Sequence, residues 1–352
     1  TIADTITPTT ITLSDVNGAE GTSHTITATV DHVVTGNDLV ITLSNGKEIT
    51  IAVGATSGTS AAFAIQSDDV YVDGDAYSVG ISGTAGGNFE SLVTTDTSTV
   101  TVVDTIDTTS VSLTAAPDLT EDGGNLTYTA TLGSPVLAGD DPVVVSFTDL
   151  NGAARSITIT GGNATGTYVA TIPEALYEDV YSEAAADITI ATNVSVAGGN
   201  FEALGTPSVG TIALTDSIDN TNATLTSVGS GDEDSGSITY TVTLNNAPQA
   251  DQLFSITLSN GQSATITVAS GALTGAITFG WGAGAIAGTQ ALTGYPNSDA
   301  YSEAPVDISV STFTASGAGG NFEQLTPINS STPVTIADTI TPTTITLSDV
   351  NG

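Results

Sequence analysis

Carboxylate side chains recur at matched positions along this chain of 352 residues, and carboxylates that lie close together bind divalent cations. Three short patterns carry most of them, always in the same order. They are Asp-x-Tyr-x-Asp/Glu at 69–73, 179–183 and 299–303, Gly-Gly-Asn-Phe-Glu at 86–90, 198–202 and 319–323, and a linker pattern at Asp4, Asp104, Asp216 and Asp338. The chemistry that these residues indicate is metal binding through oxygen.

The net charge restricts the partners of the chain. There are 38 Asp and Glu residues but only two basic ones, Lys47 and Arg155, so the formal net charge is −36. Nucleic acids and anionic membrane surfaces require basic patches, and we expect neither as a partner. The chain has no Cys, which excludes disulfides and thiolate metal sites. It has no apolar run long enough for membrane insertion.

An eighteen-residue segment, TIADTITPTTITLSDVNG, occurs at 1–18 and again at 335–352. This identity predicts that the chain is one period of a longer array. The linker pattern divides the period into three unequal domains and a fourth, truncated one. The predicted bounds are 1–104, 105–216, 217–338 and, for the first strand of the next repeat, 339–352.

Short strands separated by turns must position the acids. Ile, Val and Leu alternate with Thr and Ser, and Asn-Gly turns at 45–46, 151–152 and 260–261 predict hairpins. The strands predicted in the first domain are Thr9–Leu13, Ser23–Val30, Leu39–Leu43, Lys47–Val53, Thr59–Ile65, Tyr77–Ser82 and Ser98–Val103. The predicted fold class is all-β, with three tandem immunoglobulin-like β-sandwich domains in an extended rod.

The two ends of each predicted sandwich bring the acids together. Loops at the exit end of one domain, the linker, and the Gly-Gly-Asn-Phe-Glu loop of the next domain should meet at a junction. The ligands predicted at the first junction are Glu20, Asp69, Asp73, Asp104, Asp107, Asn200 and Glu202. Those at the second junction are Glu121, Asp179, Glu183, Asp216, Asp219, Asn321 and Glu323. Equivalent positions beyond these junctions are Asp4, Asn88, Glu90, Glu233, Asp299, Glu303 and Asp338.

Five or more carboxylates at one junction repel each other unless a cation neutralises them. Ca²⁺ takes six to eight oxygen ligands in flexible geometry, which suits mixed Asp, Glu, Asn and backbone groups better than Mg²⁺ does. Zinc and copper prefer His and Cys. The alternative is that the acids are solvated loop charges, but their recurrence beside nearly uncharged strands favours calcium. We therefore expect Ca²⁺ to join neighbouring domains.

The segments Asp68–Asp73, Gly86–Glu90 and Asp104–Asp107 together resemble the extender repeats of giant RTX adhesins, which Gram-negative bacteria export by type I secretion. The resemblance covers all three domains. It implies extracellular calcium binding, an extended rod, and attachment or biofilm formation through distal domains. Thr7 and Thr341 stand where the other linkers have Asp107 and Asp219, which implies fewer ions at the flanking junctions. The glycine-rich nonapeptide repeats of such adhesins are absent.

Two other functions are compatible with single features of the sequence. Paired carboxylates serve glycoside hydrolysis, but a catalytic pair copied at three domain ends is not expected, so we predict no enzyme. The other alternative is a module that binds carbohydrate or a host protein through the Gly- and Ala-rich insert at 271–298, which contains Trp281.

The function predicted from the sequence is a calcium-rigidified spacer of a bacterial cell-surface adhesin. We expect a monomeric extracellular rod whose partners are neighbouring repeats of the same chain. Any carbohydrate or surface ligand would bind to other domains.

Overall fold

Strands make up almost all the regular structure of the computed structural model, which describes residues 5–285, 287–295, 299–317 and 319–348. In the described residues the one helical element is a 3-10 turn at Glu174–Leu176. No described helix could cross a membrane. The strands fall into three groups along the chain, and each group corresponds to one sandwich.

The first sandwich contains eleven strands, several of them very short. They are β1 (Thr9–Leu13), β2 (Val16–Ala19), β3 (Ser23–His24), β4 (Thr27–Val30), β5 (Leu39–Leu43), β6 (Glu48–Ile51), β7 (Ser57–Thr59), β8 (Phe63–Ala64), β9 (Ala76–Ala85), β10 (Leu92–Val93) and β11 (Thr97–Val103). One sheet has the order β10-β1-β4-β7 and the facing sheet has the order β2-β11-β9-β5-β6. Ile11, Leu39, Ile41 and Ile49 are among the buried residues of the core between them.

The second group lies between residues 108 and 215. Its strands are β12 (Thr108–Thr109), β13 (Val111–Ala116), β14 (Leu119–Thr120), β15 (Gly123–Leu132), β16 (Val143–Thr148), β17 (Ala154–Ile159), β18 (Thr165–Pro173), β19 (Ala186–Thr189), β20 (Thr192–Gly198), β21 (Ala203–Leu204), β22 (Ser208–Val209) and β23 (Thr211–Thr215). β16 pairs with β17 and β20, and β13 pairs with β15 and β22. Tyr128 and Phe147 pack in the core with ring centroids 4.9 Å apart.

The third group has longer strands. They are β24 (Asn220–Gly231), β25 (Ser235–Leu244), β26 (Gln252–Leu258), β27 (Ser263–Val268), β28 (Thr274–Gly282), β29 (Gln290–Ala291), β30 (Val306–Ile308), β31 (Val310–Ser316), β32 (Gln324–Asn329) and β33 (Val334–Ile336). The sheets have the orders β29-β28-β25-β24-β32 and β27-β26-β31. Trp281, Phe279, Tyr240 and Phe254 are buried in the core of this sandwich.

The predicted hairpins form because their turns contain glycine. In the β5–β6 hairpin, the Gly46 amide donates to the Leu43 carbonyl at 3.0 Å. Gly46, Gly152 and Gly261 have φ angles of 78°, 74° and 83°, a region that side chains with a Cβ rarely adopt. The alternating burial of β5 and β6 places Ile41 and Ile49 inward and their Thr neighbours outward.

The strand that enters the first sandwich divides between its two sheets. β1 pairs antiparallel with β4, whereas β2 pairs parallel with β11. Asp15, between the two strands, accepts a hydrogen bond from the Thr99 amide at 2.7 Å. This switch takes the chain to the exit end of the sandwich, where Glu20 follows β2.

By its contacts the chain divides into two compact units. The first comprises Thr1–Pro117, Asn125–Ala170 and Thr189–Ile212, and the second comprises Asp118–Gly124, Thr171–Ile188 and Ala213–Gly352. The first junction lies within the first unit, and the second junction lies within the second unit.

The prediction of an all-β fold with tandem immunoglobulin-like sandwiches is confirmed. β1 and β5 have the predicted bounds, whereas the predicted strand Ser23–Val30 is broken into β3 and β4. Two short strands, β2 and β10, lie outside the predicted set. Residues 340–348 contain no strand.

Candidate metal sites at the domain junctions

Three buried glutamates occupy equivalent places at the exit ends of the three sandwiches. Glu20 follows β2, Glu121 follows β14, and Glu233 follows β24, and they are 2%, 5% and 1% exposed. Each donates its backbone amide to a carbonyl of the departing chain: Val103, Thr215 and Ala337, respectively. The fold therefore fixes a carboxylate beside the linker at each exit end.

At the first junction, the carboxylates of Glu20, Asp73 and Asp104 offer oxygen atoms within 4.8 Å of one another. Glu202, from the next sandwich, lies beside Glu20 and accepts a hydrogen bond from the Asp107 amide at 2.6 Å. These four carboxylates form the junction 1 cluster. The linker and both neighbouring sandwiches contribute to it.

At the second junction, the carboxylates of Glu121, Asp216 and Glu323 also lie within 4.8 Å of one another. They form the junction 2 cluster. Glu323 accepts a hydrogen bond from the Asp219 amide, which repeats the contact between Glu202 and Asp107. The Glu183 amide donates to Asp216 at 3.3 Å.

The exit end of the third sandwich carries Glu233 and Asp338, which we call the exit cluster. Glu233 accepts hydrogen bonds from the Thr339 amide and hydroxyl at 3.3 Å and 2.6 Å. The Glu303 amide donates to Asp338 at 3.2 Å. The described residues place no third carboxylate close enough to form a group like the two above.

Buried oxygen atoms without a donor concentrate in these clusters. Among the described residues, thirteen buried side-chain polar atoms have no hydrogen-bond partner. Nine of them are carboxylate oxygens at the exit ends and junctions: one each from Glu20, Asp104, Glu202, Glu121, Glu178, Asp216, Glu323, Glu233 and Asp338. A buried acceptor without a partner is costly, so this arrangement fits a cation among the carboxylates.

Among the described residues, no basic side chain forms an ion pair with a carboxylate of the clusters. The chain has two basic residues, and Arg155 pairs with buried Asp149 at 2.8 Å and lies over the Tyr168 ring. The crowded carboxylates instead have raised pKa values. Burial and then the charge of Asp216 raise the pKa of Glu121 to about 7. A hydrogen bond with Asp219 and then burial raise the pKa of Glu178 to about 7.

The same crowding acts on other carboxylates. Burial and then Asp69 raise the pKa of Asp73. The pKa of Glu202 is also raised: the hydrogen bond from the Asp107 amide lowers it, but burial and Glu20 together outweigh that bond. Burial raises the pKa of Glu323 against a similar hydrogen bond from Asp219. These shifts all have the sign expected where like charges meet in a partly dehydrated site.

Several predicted ligands have other contacts. Asp69, Asp179 and Asp299 each accept a hydrogen bond from the amide two residues later, which fixes the turn before Tyr71, Tyr181 and Tyr301. The Asn200 side chain donates to the Val72 carbonyl at 3.1 Å, and Asn321 donates to the Ser182 carbonyl at 3.3 Å. These asparagines connect backbones across a junction.

The predicted ligands outside the two junctions have different surroundings. Glu90 accepts a hydrogen bond from the Thr7 amide at 3.0 Å, the same contact that Glu202 and Glu323 make at the other linkers. Asn88 is exposed beside it and has a φ of 55°. Asp4 lies outside the described residues.

Two kinds of residue at the junctions are missing from the predicted set. Asp68 accepts a hydrogen bond from the Thr105 hydroxyl at 2.8 Å, and Glu178 accepts one from the Ser217 hydroxyl at 3.1 Å. Asp68 and Glu178 precede the Asp-x-Tyr pattern at the same position. Thr105, Ser217 and Thr339 follow the linker Asp, so the alignment of the repeats contains the signal for both kinds of residue.

Trp281 is buried, so it does not offer the exposed ring that a carbohydrate-binding insert would need. Its side chain is 2% exposed, and its indole nitrogen donates to the Asp232 carbonyl at 2.6 Å. Gly231 and Gly236 pack against the ring: a Cβ on Gly236 would lie 2.2 Å from it. The ring therefore anchors the loop before Glu233 and has no free face for stacking a sugar.

The fold and these sites define a class of protein: tandem immunoglobulin-like repeats with acidic junctions. The LapA domain model matches the chain three times, at residues 7–105, 107–217 and 219–339. The chain belongs to the LapA domain family, which places it in the repeat region of a cell-surface adhesin. No significant match is found among curated proteins.

Two solved structures have similar chains by structural comparison. The I9–I11 tandem from titin is 10% identical, with 92% of this chain and 100% of that chain covered and a TM-score of 0.17. Dimeric latent PorU from Porphyromonas gingivalis is 10% identical, with 91% and 34% covered and a TM-score of 0.19. Neither TM-score supports an argument about this chain.

Proposed function

We propose that this chain is a calcium-rigidified spacer in the extender region of an RTX-type adhesin. In this role it projects distal binding domains from the bacterial surface for attachment and biofilm formation. The protein is structural and has no catalytic role. The observation that carries the proposal is the convergence of buried carboxylate oxygens without donors, contributed by the linker and both adjoining sandwiches.

The donor set suits calcium. All members of the two junction clusters are carboxylates, and Ca²⁺ accepts many oxygen ligands in irregular geometry. Glu20, Asp73, Asp104 and Glu202 would hold it at the first junction, and Glu121, Asp216 and Glu323 at the second. The bound ion supplies positive charge that offsets the repulsion among these side chains. With the ion bound, each linker is held to both of its neighbours.

Repulsion among the junction carboxylates would also make folding of the spacer depend on the calcium outside the cell. Repulsion within the clusters opposes folding where calcium is scarce, and mass action favours the folded state where calcium is abundant. A chain exported unfolded by type I secretion would then fold on reaching a calcium-rich exterior.

Calcium removal tests the proposal directly. We expect the melting temperature to rise with added CaCl₂ and to fall with a chelator, and small-angle scattering to show a stiffer, more extended chain with calcium. Magnesium at the same concentration is the control and should have a smaller effect. Identical melting and scattering curves with calcium and with chelator would show that the proposal is wrong.

A further inference from the structure

A tyrosine and a phenylalanine form a second kind of contact at both junctions. At the first junction, the rings of Tyr71 and Phe201 lie 5.2 Å apart and their backbones form an antiparallel bridge. The Tyr71 hydroxyl donates to the Pro135 carbonyl at 2.7 Å. The tyrosine comes from the sandwich before the junction, and its partners come from the sandwich after it.

The second junction repeats this contact with different sequence around it. The rings of Tyr181 and Phe322 lie 5.8 Å apart, and their backbones also form an antiparallel bridge. The Tyr181 hydroxyl donates to the Ala247 carbonyl at 2.5 Å. The contact is thus a repeated structural unit, independent of the length of the sandwiches.

Tyr301 is presented in the same way but is left uncovered. Its amide donates to Asp299 at 2.7 Å, as the amides of Tyr71 and Tyr181 donate to Asp69 and Asp179. Its side chain is nevertheless 77% exposed, whereas Tyr71 and Tyr181 are half-buried. Because the rings of Tyr71 and Tyr181 each pack against a phenylalanine of the next sandwich, the exposed Tyr301 ring is the surface that a further sandwich would cover.

The first sandwich has the matching receptor. Phe89 folds back over Gly87 as Phe201 folds back over Gly199. A Cβ added to Gly87 would lie 2.8 Å from the Phe89 ring, and one added to Gly199 would lie 2.9 Å from the Phe201 ring. Phe89 borders an open groove of about 220 Å³, together with Val33 and Glu90. Val33, which is 50% exposed, occupies the position of Pro135 and Ala247.

We propose that Tyr301 inserts into this groove on the first sandwich of a following copy of the repeat. There it would stack on Phe89 and donate to the Val33 carbonyl. Residues 335–352 are identical to 1–18, and this identity supports the choice of partner. In the first sandwich, Thr7 of this segment donates its amide to Glu90, so the same segment leaving the third sandwich would lie beside Glu90 of the following copy. The inference rests on the spacer function proposed above.

The exit cluster supports the same partner. Glu233 and Asp338 each have a buried oxygen without a donor. At the second junction the equivalent residues, Glu121 and Asp216, lie beside a third carboxylate, Glu323, which comes from the next sandwich. Glu90 is the residue at that position in the first sandwich. Docking of a following copy would therefore complete the aromatic contact and the carboxylate group together.

A chain with two copies, in which residues 19–352 are appended after Gly352, tests the inference. Antiparallel bridge residues lie within reach of a disulfide, and the chain has no native Cys. We expect Tyr301→Cys in the first copy and Phe89→Cys in the second to form a disulfide under mild oxidation, detected by non-reducing electrophoresis. The control is Tyr181→Cys with Phe322→Cys in the single-copy chain.

The outcomes separate the inference from the function on which it rests. A disulfide in the control but not between copies would overturn the inference and leave the spacer function standing. No disulfide in either chain would overturn the inference together with the aromatic contact at the second junction on which it is based, whereas the spacer function is decided separately by calcium removal. In addition, hydroxyl-radical labelling of wild-type Tyr301 should fall by about a third in the two-copy chain, because one of its two copies becomes half-buried, as Tyr71 and Tyr181 are. Unchanged labelling, with Tyr181 as the reference, would also overturn the inference.

Discussion

At the residue scale, the acids of this chain have two different roles. Asp15, Asp38, Asp96 and Asp118 accept hydrogen bonds from backbone amides within a sandwich, at 2.7–2.9 Å. At the junctions, backbone amides also donate to Glu20, Glu202, Asp216 and Glu323, but each of these keeps a second, buried oxygen without a donor. Side chains of the first kind are satisfied by the fold alone, whereas those of the second kind require a cation or a proton.

Neutralising one junction glutamate separates these roles. Glu20→Gln keeps an oxygen for the Thr105 amide, which donates to Glu20 at 3.0 Å, but removes the charge. We expect calcium affinity at the first junction to fall at least about tenfold, because ligand charge sets the affinity of such sites. Isothermal titration calorimetry measures the effect. Asp15→Asn is the matched control and should leave calcium affinity unchanged; equal affinities for Glu20→Gln and wild type would contradict the assignment.

The metal-free protein should lose stability as the pH rises. The pKa of Glu121 is raised to about 7 in the folded state. The pKa of a glutamate in the unfolded state is about 4.3, so the folded state holds this proton more tightly. The stability that this group contributes is present below the unfolded pKa and is lost as the pH rises through about 7. Thermal melts in chelator between about pH 5 and pH 8 measure the loss.

Glu121→Gln supplies the control for that pH series. This variant cannot titrate at position 121, so its stability should change less over the same range. Calcium should flatten the dependence in the wild-type protein. A metal-free wild-type chain that becomes more stable with rising pH would contradict the prediction.

At the element scale, the strands hold the acids at the ends of the sandwiches. β2 delivers Glu20 and β24 delivers Glu233, while β11 and β33 lead into Asp104 and Asp338. The alternating strands and the glycine turns follow from local sequence, and they were predictable. β2 was not, because its four residues are strand only through parallel pairing with β11, more than eighty positions away.

Trp281 acts at this scale as the anchor of the loop that carries Glu233. Trp281→Ala should destabilise the third sandwich by about 3–5 kcal/mol, because it removes a large buried ring and the donor to the Asp232 carbonyl. Trp281→Phe, which keeps most of the ring volume, should cost less. Chemical denaturation followed by circular dichroism measures both. An alanine variant as stable as the wild type would contradict the assigned packing role.

At the scale of the whole molecule, the net charge of −36 makes folding sensitive to the ionic surroundings. Carboxylates repel one another both within a junction and between distant parts of the chain. Calcium bound at a junction relieves only the repulsion within that junction. The proposed spacer therefore combines general repulsion, which keeps the chain soluble, with local neutralisation at the junctions.

Salt should relieve the general repulsion along the chain but should not replace the calcium bound at the junctions. Raising NaCl from about 0.01 M to about 0.15 M shortens the screening length from about 30 Å to about 8 Å. We expect the melting temperature in chelator to rise with salt but to stay below the value with calcium. Differential scanning calorimetry measures both. A chelated protein that reaches the calcium value on NaCl alone would show that screening, not site binding, stabilises it.

The sequence by itself determined the all-β class, the hairpins and the recurrence of acids at the exit ends, because alternation, glycine turns and repeat spacing are local signals. Tertiary structure decided which oxygens meet. It placed Asn200, expected as a ligand, in a hydrogen bond to the Val72 carbonyl, and it placed Asp69, also expected as a ligand, in a hydrogen bond from the Tyr71 amide. It also buried Trp281, whose Gly-rich neighbours allowed either a local packing anchor or an exposed platform.

The duplicated segment shows the limit most directly. In the first copy, Ile11 and Leu13 lie in β1 and are 0% and 5% exposed; in the second, the identical residues Ile345 and Leu347 are 83% and 89% exposed. β1 has β4 and β10 as partners, while residues 340–348 lie in no strand. Identical sequence thus specifies a strand only where other strands supply hydrogen bonds and cover its apolar face.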